Sequence, residues 1–356
     1  MDIPRIRLAS QHLSGGTFDT AEEVVRWMGA MQAQDYGQAL WAIASRMKHG
    51  TIADVEKAIA DHKILRTWPM RGTIHFIPAE DTDWMLKLTG VRMLAADGRR
   101  QRQLDITPDI IATCADLLKK KLKGGKRLSR PEIMELLESN GISTAAQRGY
   151  HILYALALSG MICMGPLAGK QQTFVLLDEW VPKPRQLTAD EGLGTFAKRY
   201  IQSHGPATVR DFATWTKLTL TESRKAFSLA EGVESKTING IEYWVSANVS
   251  APKAAKAYLL AAFDEYFIGY KDRDAVIDPA HKDKVVPGGN GVFKPTLIVD
   301  GQIAGVWQKT IKKDTVEIKI TPFWPLEIDI GALQKAAEPF ASFIGKSATI
   351  EVLPIA

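Results

Sequence analysis

The feature that most constrains this chain is a pattern that recurs three times along it: short amphipathic helices followed by a β-hairpin. In the middle copy, Ile110, Ile111, Cys114, Leu117, Leu118 and Leu122 return at helical spacing, and Ile133, Leu136 and Leu137 mark a second helix. Thr144-Ala145-Ala146-Gln147 has the spacing of a capping box, in which two side chains satisfy each other's free backbone amides, and predicts the start of a third helix running to about Ser159. Residues 161–164 and 173–176, separated by Gly165-Pro166 and Gly169, then predict a hairpin. Helices and then a hairpin is the order of a winged helix.

The third copy repeats the order with different residues. Thr188 and Glu191, then Thr219 and Glu222, have capping-box spacing, and Leu193, Phe196, Ala197, Tyr200 and Ile201 share one helical face. Its hairpin tip is Asn239-Gly240, the pair that supplies the positive φ angles of a type I′ turn. In the first copy Thr20 and Glu23 cap a helix bearing Val24, Val25, Trp27, Met28 and Met31, further helices are expected over 38–47 and around Ile52, Val55 and Ile59, and residues 64–67 and 73–77 form the wing. From about Tyr258 the texture turns to β: Asp300-Gly301 is a second type I′ signal, residues 316–321 alternate apolar with polar, and a helix near 333–344 and a strand near 348–353 follow. The expected class is α+β: tandem winged-helix (helix-turn-helix) units at 1–97, 98–182 and 183–250, then a β-rich, barrel-like C-terminal domain at 251–356.

A chain of 356 residues exceeds what one core supports, and 46% hydrophobic with 24% charged residues is the balance of a globular protein. Cys114 and Cys163 are the only cysteines, both in apolar runs, so neither a disulfide framework nor a Cys-rich zinc site is indicated and a reducing cytoplasm is expected. The seven histidines show no metal-ligand spacing and no phosphate-cradling glycine loop is present, so no metal and no cofactor are expected. The opening MDIPRIRLASQ has no apolar signal region and no run approaches the roughly 20 apolar residues of a membrane span, so no membrane partner is expected.

The net charge of +5 is unevenly placed. Residues 98–130 hold ten basic residues, among them Arg99, Arg100, Lys119, Lys120, Lys121 and Arg127, against three acidic ones, a net +7 that leaves −2 for the rest. That concentration fits a polyanion partner such as double-stranded DNA; a solvated lysine-rich helix end is the alternative. Arg66, Arg71 and His75 lie in the first wing, where Thr73 and His75 share one strand face, either to touch phosphate or as hydrogen-bonded structure. Gln147, Arg148 and His151 are expected on the exposed side of the middle copy's third helix, the position that enters the major groove in regulators.

Three further stretches carry a family likeness: Met31-Gln32-Ala33-Gln34-Asp35 after the first helix, Arg71-Gly72-Thr73-Ile74-His75 in the first wing, and a run from Phe263-Asp264 through Gly269-Tyr270-Lys271-Asp272-Arg273 and Asn290-Gly291-Val292-Phe293-Lys294-Pro295 to Asp300-Gly301, Gly305 and Trp307. Together they resemble the winged-helix DNA glycosylases typified by AlkZ and YcaQ. The resemblance spans nearly the whole chain, departing where Ala262 stands in place of a common Pro. It implies hydrolysis of the N-glycosidic bond of alkylated purines in DNA repair, including unhooking of interstrand crosslinks, with Gln32 and Gln34 matching the catalytic Gln-x-Gln. Gln34, where the YcaQ-like branch has Asp, is AlkZ-like. Asp264, Arg273 and Asn290 match cleft positions, although a buried ion pair or a turn-closing role explains Asp264 and Arg273 equally well.

The chemistry suits two amides. An alkylated purine is already a cationic leaving group, so its loss requires chiefly an oriented water and stabilisation of an oxocarbenium-like sugar, which amide carbonyls supply. Asp35 is the rival base, and capping of backbone groups at a helix–helix turn is the structural alternative for Gln32 and Gln34. A monofunctional glycosylase working as a cytoplasmic, nucleoid-associated monomer is the expectation. The competing function is a non-enzymatic winged-helix regulator, which leaves the β-domain and the Gln-x-Gln turn without a purpose.

Overall fold

Capping boxes set the helix starts. Thr20 with Glu23 opens the helix Ala21–Met28, and Thr219 with Glu222 opens Leu220–Ser228. Thr188 and Glu191 exchange bonds at the start of Ala189–His204, and two unforeseen boxes, Ser129 with Glu132 and Thr208 with Asp211, open Arg130–Ser139 and Val209–Thr216. The expected box at Thr144 does not form. Both the backbone N–H and the hydroxyl of Thr144 donate to Glu138, at 2.5 and 2.7 Å, and Ala146 and Gln147 take positive φ of 50° and 72°. The helix therefore begins at Arg148, without a side-chain cap, because a nearby carboxylate is a stronger acceptor than the Gln147 amide.

The computed structural model describes residues 1–246 and 257–355; the expected boundary at 250/251 lies outside them. The chain falls into two compact units, one made of residues 1–55 with 194–356 and the other of the continuous stretch 56–193.

In the continuous unit the two expected wings share one sheet. The strands run Thr73–Pro78, Ile64–Met70, Ile162–Met164, Thr173–Leu176, Leu128–Ser129, joined where Arg66 pairs with Met164. Arg71 and Gly72, at φ 58° and 69°, turn the first hairpin. Every residue of Ile64–Met70 is buried, and the strand packs against the helix Arg148–Leu158 and the turn Leu86–Gly90. Around the sheet lie the helices Val91–Gln103, Pro108–Leu122 and Arg130–Ser139.

The discontinuous unit combines N-terminal helices, the helices and hairpin of the third copy, and the C-terminal sheet. That sheet orders its strands Ser347–Val352, Thr315–Pro322, Gln302–Ile311, Thr296–Val299, Ala257–Leu260, antiparallel except for the first pair. Both type I′ turns form as expected, with φ of 50° and 76° at Asn239-Gly240 and 51° and 85° at Asp300-Gly301. Gly301 serves a second purpose, since a Cβ there would lie 2.7 Å from that of Pro4. The hairpin thus docks on the helix Ile3–Ser10, where Arg5 grips Asp300 at 2.5 Å. Beneath it Leu8, Tyr266, Phe267, Val276, Ile277, Ile298 and Ile303 form one core.

Candidate active site

The helix Ala21–Met28 ends at Gly29, and the chain that follows alternates. Met31 and Ala33 are buried, Gln32 is half-buried, and Gln34 and Asp35 are exposed. That period of two is what an extended segment gives when one side faces a core. It brings Gln32 and Gln34 to the outer side of a short turn and Asp35 to the start of the next helix. Asp35 Oδ1 accepts from the backbone N–H of Gln38 at 3.1 Å, the N-cap bond of the helix Tyr36–Ala44.

One indole ties this helix to the C-terminal sheet, and a second, inside the sheet, shares its aromatic neighbour. Trp41 donates from Nε1 to the carbonyl of Leu259 at 3.0 Å, Trp307 donates to that of Leu260 at 2.9 Å, and both rings pack on Phe340, with centroids 5.2 and 5.0 Å away. Gln38 Oε1 accepts from Ala262 N–H at 2.8 Å. The turn itself is held from below: Gln32 N–H donates to Glu265 Oε1 at 3.0 Å. Next to it, Asp264 takes both terminal nitrogens of Arg46, at 2.9 and 3.0 Å, with the Arg46 side chain wholly buried and that of Asp264 2% exposed. Arg46 also donates to Ala42 O and Gln11 Oε1, and Gln11 donates to the Tyr270 hydroxyl. The segment 263–270 is thus the floor on which the turn stands.

Of the cleft candidates, Asp264 is this ion pair. Arg273 donates to Phe267 O at 2.8 Å with its guanidinium 4.6 Å over that ring, and Asn290 closes a turn by accepting from Val292 N–H. Sequence reasoning missed Arg46, Glu265 and Trp215. The available signal was Asp264-Glu265 inside the apolar run Ala261 to Ile268, since two buried carboxylates require partners.

In the continuous unit, Arg99, Arg100, Lys119, Lys120, Lys121 and Arg127 are all exposed, on Val91–Gln103, on the last turn of Pro108–Leu122 and on the loop after it. The wing residues differ. His75 is wholly buried, its ring nitrogens 2.9 Å from an Arg71 terminal nitrogen and 2.8 Å from Thr73 O, and Arg66, 8% exposed, donates to Gln172. A strand packed on both faces has no open polar side, so neither residue presents the wing face expected from alternation. Arg148 donates to the carbonyls of Ser143 and Leu104, and His151 faces Asp97 at 3.0 Å, so both are braced inside the unit rather than displayed. Cys114 and Cys163 are buried free thiols, and burial pushes the Cys114 thiol up to about 11. Among the described residues no His, Cys, Asp and Glu cluster forms a metal site, and no helix is long and apolar enough to cross a membrane.

The family model described as DNA glycosylase AlkZ-like matches residues 25–343. The chain belongs to the AlkZ-like DNA glycosylase family. A relative from Streptomyces sahachiroi, named as an interstrand DNA cross-link repair glycosylase, is 27% identical over an alignment of 378 residues that covers 98% of this chain and 96% of the relative. The solved structure of Streptomyces sahachiroi DNA glycosylase AlkZ superposes with a TM-score of 0.83 over 99% of this chain and 98% of that one, at 23% identity, which shows a shared mixed α+β fold. An AlkZ-like glycosylase is an enzyme acting on DNA, and the regulator alternative gives way to it.

Proposed function

We propose that this AlkZ-like glycosylase hydrolyses the N-glycosidic bond of N-alkylated purines in duplex DNA, crosslinked purines included, with Gln32 and Gln34 holding the attacking water. The observation that carries this reading is the turn itself. Two amides two residues apart point outward from a main chain that is pinned from behind by Glu265. The carbonyl oxygens accept from water and face the positive charge that develops on the sugar. As the C1′–N bond breaks, its electron pair goes to the cationic base, which leaves neutral. Water oxygen bonds to C1′ and its proton passes to solvent, leaving an abasic site. No amine takes part in that sequence, so the enzyme is monofunctional.

Asp35 fits a structural role better than that of general base. Its carboxylate already accepts the N-cap bond from Gln38. The exposed residues Arg99, Arg100, Lys119, Lys120, Lys121 and Arg127 are the phosphate-binding set, and the three helix–hairpin segments act as winged-helix modules on DNA. The protein works as a soluble monomer on the nucleoid.

The test is single-turnover excision from a duplex carrying one N7-alkylguanine, measured beside equilibrium binding. Gln34→Ala is expected to lose roughly 100-fold or more in rate with binding nearly unchanged, because it removes an interaction made in the transition state. Asp35→Asn retains most activity. A wild-type rate in Gln34→Ala together with an inactive Asp35→Asn assigns the water to the carboxylate instead. An abasic product whose strand breaks only on alkali treatment marks the monofunctional reaction.

A further inference from the structure

Two consecutive carboxylates, Asp264 and Glu265, are buried beneath the Gln32-Ala33-Gln34 turn, at 2% and 1% exposure. Asp264 is accounted for by the fork of Arg46 and by its N-cap bond to Tyr266 N–H at 2.9 Å. Glu265 is used differently. Its Oε1 accepts from the main-chain N–H of Gln32 at 3.0 Å, across 233 residues of sequence, and its Oε2 accepts from Trp215 Nε1 at 2.9 Å. The His204 Nε2 lies 3.5 Å from the same Oε2. Burying a carboxylate is costly, and a core that needs only to be filled is served as well by an apolar side chain of similar volume. The use of Glu265 is therefore to be sought in the bonds it makes.

We propose that Glu265 is a positioning residue of the glycosylase reaction, fixing the Gln-x-Gln turn through its bond to the Gln32 main chain. The inference rests on the assignment of Gln32 and Gln34 to the reaction and deepens it. In an extended segment the direction of successive side chains follows from the main chain, so a bond at Gln32 N–H, added to the strand geometry of Met31–Gln32, helps to set where both amides point. The anchor is itself rigid. Trp215, 1% exposed, is wedged among Phe196, Tyr200 and His204 with centroids 5.1, 4.9 and 5.2 Å away, and it holds one oxygen of Glu265 while the other meets the turn. A carboxylate accepts both donors at once, which neither an amide nor a hydroxyl does in this geometry. Water held by misdirected amides attacks off line, and displacements of about 1 Å are enough to cost orders of magnitude in rate.

The test uses the full-length enzyme on N7-alkylguanine duplex. Glu265→Ala is expected to lower the single-turnover rate roughly 10- to 100-fold while affinity for the same DNA changes by less than about 3-fold. Glu265→Gln carries one acceptor oxygen for two donors. Pairing it with Trp215→Phe, which removes the second donor, leaves that oxygen to Gln32, so the double variant is expected to recover to within about 3-fold of Trp215→Phe alone. Phe227→Leu, a core change in the helix Leu220–Ser228, serves as the control for lost stability and keeps the wild-type rate at a temperature where it is folded. The inference is overturned by a wild-type rate in Glu265→Ala, or by a double variant that stays as slow as Glu265→Ala. If Glu265→Ala does not fold, Glu265→Gln stands in for it, and a wild-type rate in that single variant, or a double variant no faster than it, overturns the inference. Loss of excision in Gln34→Ala with a wild-type rate in the Glu265 variants sinks this inference and leaves the Gln-x-Gln assignment standing; retained excision in Gln34→Ala sinks that assignment itself.

Discussion

At the scale of single residues a family likeness singles out candidate positions more readily than it reveals what supports them. Gln32 and Gln34 were recognisable as candidates from that likeness, because the motif that carries it is local, although its spacing alone fits backbone capping as well. Arg46 and Glu265 were not, because their partners lie 218 and 233 residues away and nothing local marks a side chain that will be buried against them. His204 illustrates the same limit and has a measurable consequence. It is wholly buried, stacked on Tyr200 at 4.6 Å, and burial holds its pKa below the ordinary 6.5, against the opposing pull of Glu265. A group that takes up its proton more readily unfolded than folded favours unfolding as the pH falls. Its contribution to stability is full above about pH 6.5 and is lost progressively below it, toward the depressed folded value. Urea denaturation at pH 7.5 and 5.5 is therefore expected to show a lower midpoint at the acidic pH, and His204→Gln is expected to narrow the gap. An unchanged gap in that variant places the acid sensitivity on other groups.

Elements were legible where a few adjacent residues decide them and illegible where a competitor intervenes. Asn239-Gly240 and Asp300-Gly301 specify their turns outright, and the boxes at Thr20, Thr188 and Thr219 form because both partners are local. The box at Thr144 fails because Glu138, six residues upstream, supplies a better acceptor. Alternation on Thr73–Pro78 predicted an open polar face, yet that strand pairs with one that is buried along its whole length, and His75 goes inside with it. The last turn of Pro108–Leu122 ends in Lys119, Lys120 and Lys121, all exposed. Lysines there also complement the negative end of the helix dipole, so position alone does not distinguish a phosphate contact from helix stabilisation. Salt does. Each phosphate neutralised adds about 0.9 to the slope of log affinity against log salt. Replacing all three lysines by Ala is expected to flatten that slope by about 2.7 if each neutralises one phosphate. A weakened helix with an unchanged slope assigns them to the dipole and places the DNA surface elsewhere.

On the scale of the whole molecule, the linear order of helix–hairpin segments conceals how the chain packs. Residues 1–55 join 194–356 in one unit, through Gln11 with Tyr270, Arg46 with Asp264, and Gln32 with Glu265. The hairpins of the first two copies share a sheet in the other unit. Pairings this remote leave no periodic trace, whereas the family likeness, spread over nearly the whole chain, does not depend on knowing them. Repetition inside one chain bears on stoichiometry. A regulator built on one winged helix needs a second copy of itself to read a palindromic site, but a damaged base has no two-fold symmetry and needs one active site. One chain of 39.3 kDa carrying three helix–hairpin segments is expected to bind a lesion-bearing duplex alone. Light scattering after size-exclusion chromatography checks this directly: the free protein should run at the mass of one chain, and the complex should add one chain to one duplex. A two-fold dimer that persists at the nanomolar concentrations at which DNA is bound would mean that a second copy is part of the working enzyme, and the sufficiency of the internal repeats would fall with it.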